Sequence, residues 1–177
     1  NVLSAIKKLT STEGLKMSPK RITLSTSGIP KIIKKMADGN VKFKLAVSLH
    51  SAIQSIREKI MPFANKFPLE ELLDALLYWY NITKSIVTIE YIVWEGINDQ
   101  KRDIEALVEF CKKIPSKVNL IQYNPTDNFH KSEANKEVLN AYIKTLNSSK
   151  IRVTYRKSRG YDINAACGQL ANKITSN

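Results

Sequence analysis

Cys167 lies in the run Ala165-Ala166-Cys167-Gly168-Gln169-Leu170, a tight stretch of small residues that follows Arg156, Lys157 and Arg159. Positive charge beside a thiol favours the thiolate, the form that attacks electrophiles, so Cys167 is the candidate nucleophile; packing in a loop is its plainer reading. The second cysteine, Cys111, falls on a helical stripe with Ile104, Leu107, Val108 and Ile114, and reads as a small buried hydrophobe. Two cysteines so far apart make neither a disulfide framework nor a zinc knuckle, and a reducing cytoplasm fits them best.

Other polar groups recur at the exits of short apolar runs. They are Ser25-Thr26-Ser27-Gly28, Ser48-Leu49-His50-Ser51 and Tyr123-Asn124-Pro125. Hydroxyls, an imidazole and a carboxamide on one rim can hold the ribose hydroxyls and amino-acid end of a nucleoside-like ligand. Each group also has a plain structural reading: turn chemistry for Ser25 to Gly28, a satisfied ring for His50, a turn initiator for Asn124. Glu90, inside an apolar run, either faces an interior or pairs with a nearby base.

These exits belong to strands that alternate with helices. A helical pattern at Val2–Leu9 precedes a strand at Arg21–Thr26 and a helix at Ile29–Met36. Leu45–Leu49 is almost wholly apolar, as expected of a strand covered on both faces of a parallel sheet. Pro68, Glu70 and Glu71 open a helix whose stripe is Leu69, Leu72, Leu73, Leu76, Leu77 and Tyr80. Ile86–Trp94 is the next strand, Asn98-Asp99 caps the helix of Cys111, and Val118–Tyr123 is a further strand. A helix through Val138, Leu139, Tyr142, Ile143 and Leu146 leads to a last strand at Ile151–Arg156. Such alternation predicts an α/β fold, one domain over residues 1–177 with a mostly parallel sheet, open or curled as a barrel segment, and with function at the carboxyl ends of the strands.

The chain has 43% apolar and 25% charged residues, a net charge of +12 and a pI near 9.7. That field attracts polyanions, nucleic acid foremost, although a lysine-rich surface made for solubility reads the same way. Lys31, Lys34 and Lys35 form one basic cluster; Arg152, Arg156, Lys157 and Arg159 form another, beside Tyr155 and Tyr161, which could stack on bases. No apolar stretch reaches the roughly 20 residues of a membrane span, so no membrane association is expected. Asn1-Val2-Leu3-Ser4 has no initiator Met and no charged leader, and reads as a cut through a longer chain.

The ordered set Ser25-Thr26-Ser27-Gly28, Ser48-Leu49-His50, Val118-Asn119-Leu120-Ile121 with Asn124-Pro125, and Arg159-Gly160 through Ala165-Ala166-Cys167-Gly168-Gln169-Leu170 resembles the RlmN-type RNA adenine methyltransferases over almost the whole chain. The resemblance implies a partial (β/α) barrel of the radical S-adenosylmethionine (SAM) type with its N-terminal part missing. It implies SAM and a 4Fe-4S cluster as cofactors, with methylation at carbon 2 of an adenosine in 23S rRNA and tRNA. By position, Cys167 matches the cysteine that first takes the methyl group, and Ser25, Ser48, Leu49, His50 and Asn124 match SAM contacts. An electron donor such as flavodoxin is implied for the full-length enzyme.

The chain departs from the family pattern in lacking the Cys-x3-Cys-x2-Cys cluster ligands, the second catalytic cysteine and the Gly-Glu motif. The resemblance therefore implies that no metal ligand lies in this chain and that it is inactive alone. Tyr161, Asn164 and Ser51-Ala52-Ile53 also differ from the common family residues. Two other functions remain open at this stage. One is the related enzyme type that methylates carbon 8 and confers antibiotic resistance; the other is a non-catalytic RNA-binding module.

Overall fold

The computed structural model describes residues 2–124 and 132–157. Helix α1 (Val2–Thr10) leads through a 3-10 turn (Pro19–Arg21) into strand β1 (Thr23–Thr26), helix α2 (Pro30–Asp38) and strand β2 (Lys44–Ser48). Helix α3 (Gln54–Ile60), a second 3-10 turn (Pro62–Lys66) and helix α4 (Leu69–Thr83) follow, then β3 (Val87–Tyr91), α5 (Lys101–Lys112), β4 (Ser116–Ile121), α6 (Lys136–Ser148) and β5 (Val153–Arg156). The strands form one sheet in the order β1-β2-β3-β4-β5, every pair parallel. The α/β class and the strand–helix alternation expected from the sequence are therefore what the chain adopts.

Local chemistry sets the element ends. Pro30 occupies the first turn of α2, where its missing N–H costs nothing. Glu70 and Glu71 sit at the positive end of α4, whose last turn closes on Lys84 in a left-handed conformation (φ 54°). Asn135 caps α6 by accepting the Val138 N–H at 2.9 Å. The α5 cap differs from expectation: it is Gln100, whose backbone N–H donates to Asp103 Oδ2 at 3.0 Å, and Asn98 is drawn away to other work.

Parallel register puts side chains of matched residues on one face. Leu24, Leu45, Val47, Ile89, Tyr91, Val118, Leu120, Val153 and Tyr155 point to the face on which α2, α4, α5 and α6 bury Ile33, Leu72, Trp79, Leu107 and Tyr142. The other face is polar. It carries Ser25, Lys44, Thr88 and Lys117, and a lateral row of Ser48, Glu90, Asn119 and Thr154 in register. Thr154 Oγ1 donates to Asn119 Oδ1 at 3.1 Å within that row. As expected, β2 is buried on both faces at its centre: Leu45 and Val47 face the hydrophobic core, and Ala46, between Ser25 and Thr88, is buried on the other side. Glu90 looks onto that face and makes no ion pair among the described residues.

No helix among the described residues is long and apolar enough to cross a membrane. Helix α3 is absent from the sequence expectation. It is short, and one of its two buried positions is Arg57, a residue that an apolar periodicity passes over.

Candidate functional site

All five strands run the same way, so their carboxyl ends share one edge, and the segments leaving β1, β2 and β3 meet there. Together with Ile60 and Met61 at the end of α3, they enclose a cavity of about 320 Å3 lined by Ser27, Ser48, His50, Ile92 and Trp94. The lining is part polar (Ser27, Ser48, His50) and part apolar (Ile60, Met61, Ile92, Trp94).

The β1 exit turns sharply. The Gly28 N–H donates to Thr26 Oγ1 at 3.2 Å, and Gly28 adopts φ 98°. Its Ser27 carbonyl accepts Nη2 of Arg57 at 3.0 Å. Arg57 is fully buried, its guanidinium 5.6 Å from the Phe63 ring centroid, and burial lowers its pKa.

The β2 exit holds His50 in the left-handed region (φ 58°). His50 Nδ1 accepts the backbone N–H of Ile92 at 3.2 Å, and the ring stands edge-on to Trp94 at 5.5 Å between centroids. A ring nitrogen that accepts a hydrogen bond carries no proton, so the imidazole is the neutral tautomer with its proton on Nε2. Burial, reinforced by the charge of Arg57, pulls its pKa from 6.5 down to about 4. His50 is therefore a neutral hydrogen-bond donor at physiological pH.

That shift has a measurable sign. Between pH 6.5 and about 4 the unfolded chain binds a proton that the folded ring refuses, so stability is complete above this window and is lost as pH falls through it. The contribution is at most about 3 kcal/mol. Urea midpoints at pH 7 and pH 4.5 should differ more for the wild type than for His50→Gln, which cannot titrate; equal differences would assign the acid sensitivity to other groups.

The other sites expected from the sequence fall as follows. Ser48 and His50 line the cavity. Leu49 does not offer a side chain to it: Leu49 is fully buried in the core cluster, its N–H donates to the Glu90 carbonyl at 3.0 Å and its carbonyl accepts from Ser51 at 2.7 Å. Ser25 is exposed on the polar face, two residues before Ser27, which lines the cavity. Asn124 is buried past the end of β4. Its Nδ2 donates weakly to the Gln122 carbonyl at 3.4 Å, and its Oδ1 has no partner among the described residues. The neighbouring Tyr123 ring lies 5.9 Å from Trp94, so this segment adjoins the same rim. Cys167, Arg159 and Tyr161 lie outside the described residues.

One correction concerns a side chain read as a base contact. Tyr155 does not stand free to stack on a base: it packs against the core, and its hydroxyl donates to Glu133 at 3.0 Å, which together with burial raises its pKa to about 12. Cys111 is buried as expected, and burial pushes its thiol up to about 11, so it stays protonated and unreactive. Lys31, Lys34, Lys35, Arg152, Arg156 and Lys157 are exposed.

Reasoning from sequence missed Arg57 and Asn98. Asn98 is fully buried between the β2 and β3 exits, where its carboxamide makes three hydrogen bonds.

No family model matches the chain. Among curated proteins it is 63% identical over 173 residues, 98% of its length, to a probable dual-specificity RNA methyltransferase RlmN of Flavobacterium psychrophilum, of which it covers 50%. It is 60% identical to the protein of the same name from Christiangramia forsetii, covering 98% of this chain and 49% of that one. Among solved structures, a radical SAM methyltransferase from Sphaerobacter thermophilus superposes with a TM-score of 0.91 at 34% identity, over 95% of this chain and 49% of that one. A domain of pyruvate-formate lyase-activating enzyme from Bacteroides vulgatus shares the fold alone, with a TM-score of 0.59 at 17% identity over 76% of this chain and 80% of that one. The chain spans about half the length of the curated relatives it matches, and along that span it is similar to proteins named as RlmN methyltransferases and to a radical SAM methyltransferase of known structure.

Proposed function

We propose that the chain is the carboxyl-terminal part of the catalytic domain of a radical SAM RNA methyltransferase. In this reading the cavity at the β1–β3 exits receives SAM, and Cys167 carries a methyl group to carbon 2 of an adenosine in 23S rRNA and tRNA. The observation that carries the reading is the cavity itself: Ser48 and His50 line it, and they belong to a chain 63% identical to an RlmN relative.

The residues fit a SAM molecule. Ser27, Ser48 and the Nε2–H of His50 supply hydroxyls and a neutral donor on one side; Ile60, Met61, Ile92 and Trp94 supply an apolar wall for an adenine or a thioether chain. The buried Oδ1 of Asn124 is an acceptor awaiting a donor such as a ribose hydroxyl. A neutral His50 suits a ligand that brings its own sulfonium charge, since an imidazolium there would repel it. An iron–sulfur cluster is different. Among the described residues no group of His, Cys, Asp or Glu comes together to hold a metal, and the chain contains only two cysteines, so no cluster ligand is assigned here.

Bound in the cavity, SAM supplies an electrophilic methyl group and, with an electron from a cluster held elsewhere in the full-length protein, radical chemistry. Cys167 contributes its thiolate, which accepts the methyl on sulfur, and Arg156 and Lys157 with Arg159 favour that thiolate and the approach of RNA phosphates. The net charge of +12 serves the same attraction. The full-length enzyme works in the cytoplasm with an electron donor of the flavodoxin kind, and the present chain alone is expected to leave RNA unmodified.

Mass spectrometry of Cys167 peptides from full-length protein, expressed with an intact cluster, tests this directly. One added methyl group on sulfur is expected, and nucleoside analysis of the RNA should show 2-methyladenosine; the 8-methyl isomer would correct the position. A thiol that stays unmodified with cluster and SAM bound would sink the carrier role.

A further inference from the structure

The backbone of His50 is gripped by a side chain that does not line the cavity. Asn98 Nδ2 donates to the His50 carbonyl at 2.7 Å and to the Ile92 carbonyl at 2.9 Å, while Asn98 Oδ1 accepts the Trp94 N–H at 2.8 Å. One carboxamide thereby joins the segment leaving β2 to the segment leaving β3, and three of the residues it holds line the cavity. The orientation of the amide is fixed by its partners: turned over, its oxygen would face two carbonyls and its NH2 would face an N–H.

The consequence reaches the ring through geometry. With its carbonyl tied to Asn98, His50 stays in the left-handed conformation, which brings Nδ1 within 3.2 Å of the Ile92 N–H. The same Ile92 gives its carbonyl to Asn98, so donor and acceptor of the ring's anchor are clamped together. Behind Asn98, its own backbone carbonyl accepts the hydroxyl of Tyr142 on α6 at 2.6 Å, a bond that the side-chain clamp does not use. Asn98 lies two residues before the α5 cap, and its side chain takes no part in capping.

We propose that Asn98 is a positioning residue for the cavity: by locking the β2 and β3 exits together it holds His50 in the Nε2–H tautomer and aims that single donor at the bound ligand. The identity of the ligand rests on the SAM reading above; the state of the ring does not. Removing the clamp frees the turn, lets the ring lose its acceptor role at Nδ1, and replaces one directed donor by a mixture of tautomers. An apolar residue would fill the space but leave two carbonyls and an N–H buried without partners.

The test uses full-length holoenzyme with four variants and two readouts. Nitrogen-15 spectra of labelled histidine report the tautomer, with the His50 signal assigned by its loss in His50→Gln, and equilibrium binding of SAM itself reports affinity. Asn98→Ala is expected to weaken SAM about ten-fold or more and to turn a single Nε2–H pattern into a mixture. Asn98→Asp, nearly the same shape, sets a carboxylate oxygen against the two carbonyls and should do the same, which covers the case in which the alanine variant does not fold. Tyr142→Phe removes the hydroxyl behind the clamp and is expected to lower stability while leaving the tautomer and SAM affinity near wild type. Asn98 variants with a wild-type tautomer overturn the proposal, and so does a Tyr142→Phe variant that moves both readouts as far as Asn98→Ala. A wild-type holoenzyme that fails to bind SAM would refute the SAM reading and leave the tautomer to judge Asn98.

Discussion

Alanine at position 28 is expected to cost about 3 kcal/mol of stability and to weaken ligand binding in the same stroke. Gly28 has φ 98°, a conformation that side chains resist. A Cβ there would sit 3.2 Å from Leu72 Cδ1, 3.2 Å from Val47 Cγ1 and 3.4 Å from Arg57 Nη2. Leu72, Val47 and Arg57 are all fully buried, so none can swing out to make room. Backbone strain of roughly 1 to 2 kcal/mol and crowding of similar size then add. Relief comes by moving Arg57, whose Nη2 holds the Ser27 carbonyl, and Ser27 lines the cavity. Urea denaturation and SAM binding of the full-length Gly28→Ala variant check the two effects together. A stability loss below about 1 kcal/mol would mean that the turn relaxes without disturbing its neighbours.

Trp79→Ala should be costlier still for stability, about 4 kcal/mol, yet should spare the cavity. Trp79 is fully buried on α4, with its ring 6.1 Å from that of Phe43, the residue just before β2. Its indole N–H has no hydrogen-bond partner among the described residues, so the loss is one of packing and of the void left behind. Phe43 marks the amino end of the strands, opposite the cavity. The separation of a stabilising end from a binding end is the general habit of strand–helix folds. Denaturation should show the full loss, while SAM affinity measured well below the melting transition stays within about three-fold of wild type. A collapse of affinity in the still-folded variant would show that the two ends are coupled through α4.

These two positions also show what a sequence can and cannot disclose. The α4 stripe of Leu69, Leu72, Leu73, Leu76 and Leu77 repeats at helical spacing, and periodicity alone finds it. Ser48 and His50 are legible because they end an apolar strand with groups that the core does not need. Ser27 is harder, since a Ser-Gly pair at a strand exit is ordinary turn chemistry, and the neighbouring Ser25 proves to lie on the open polar face. Arg57 and Asn98 are not legible at all. Each is a polar residue buried for the sake of a carbonyl far along the chain, Ser27 being 30 residues from Arg57 and His50 being 48 from Asn98. Every residue carries a carbonyl, so no letter marks the ones that will be met.

The strand order has a consequence for how such a chain is born. Each strand pairs with the one made just before it and the one made just after, so no strand must be threaded between two that are already joined. A polypeptide leaving the ribosome amino end first can therefore lay down its sheet as it emerges, closing one edge at a time. The walls of the cavity, all of them between Ser27 and Trp94, are in place while β4, α6, β5 and Cys167 are still to be translated.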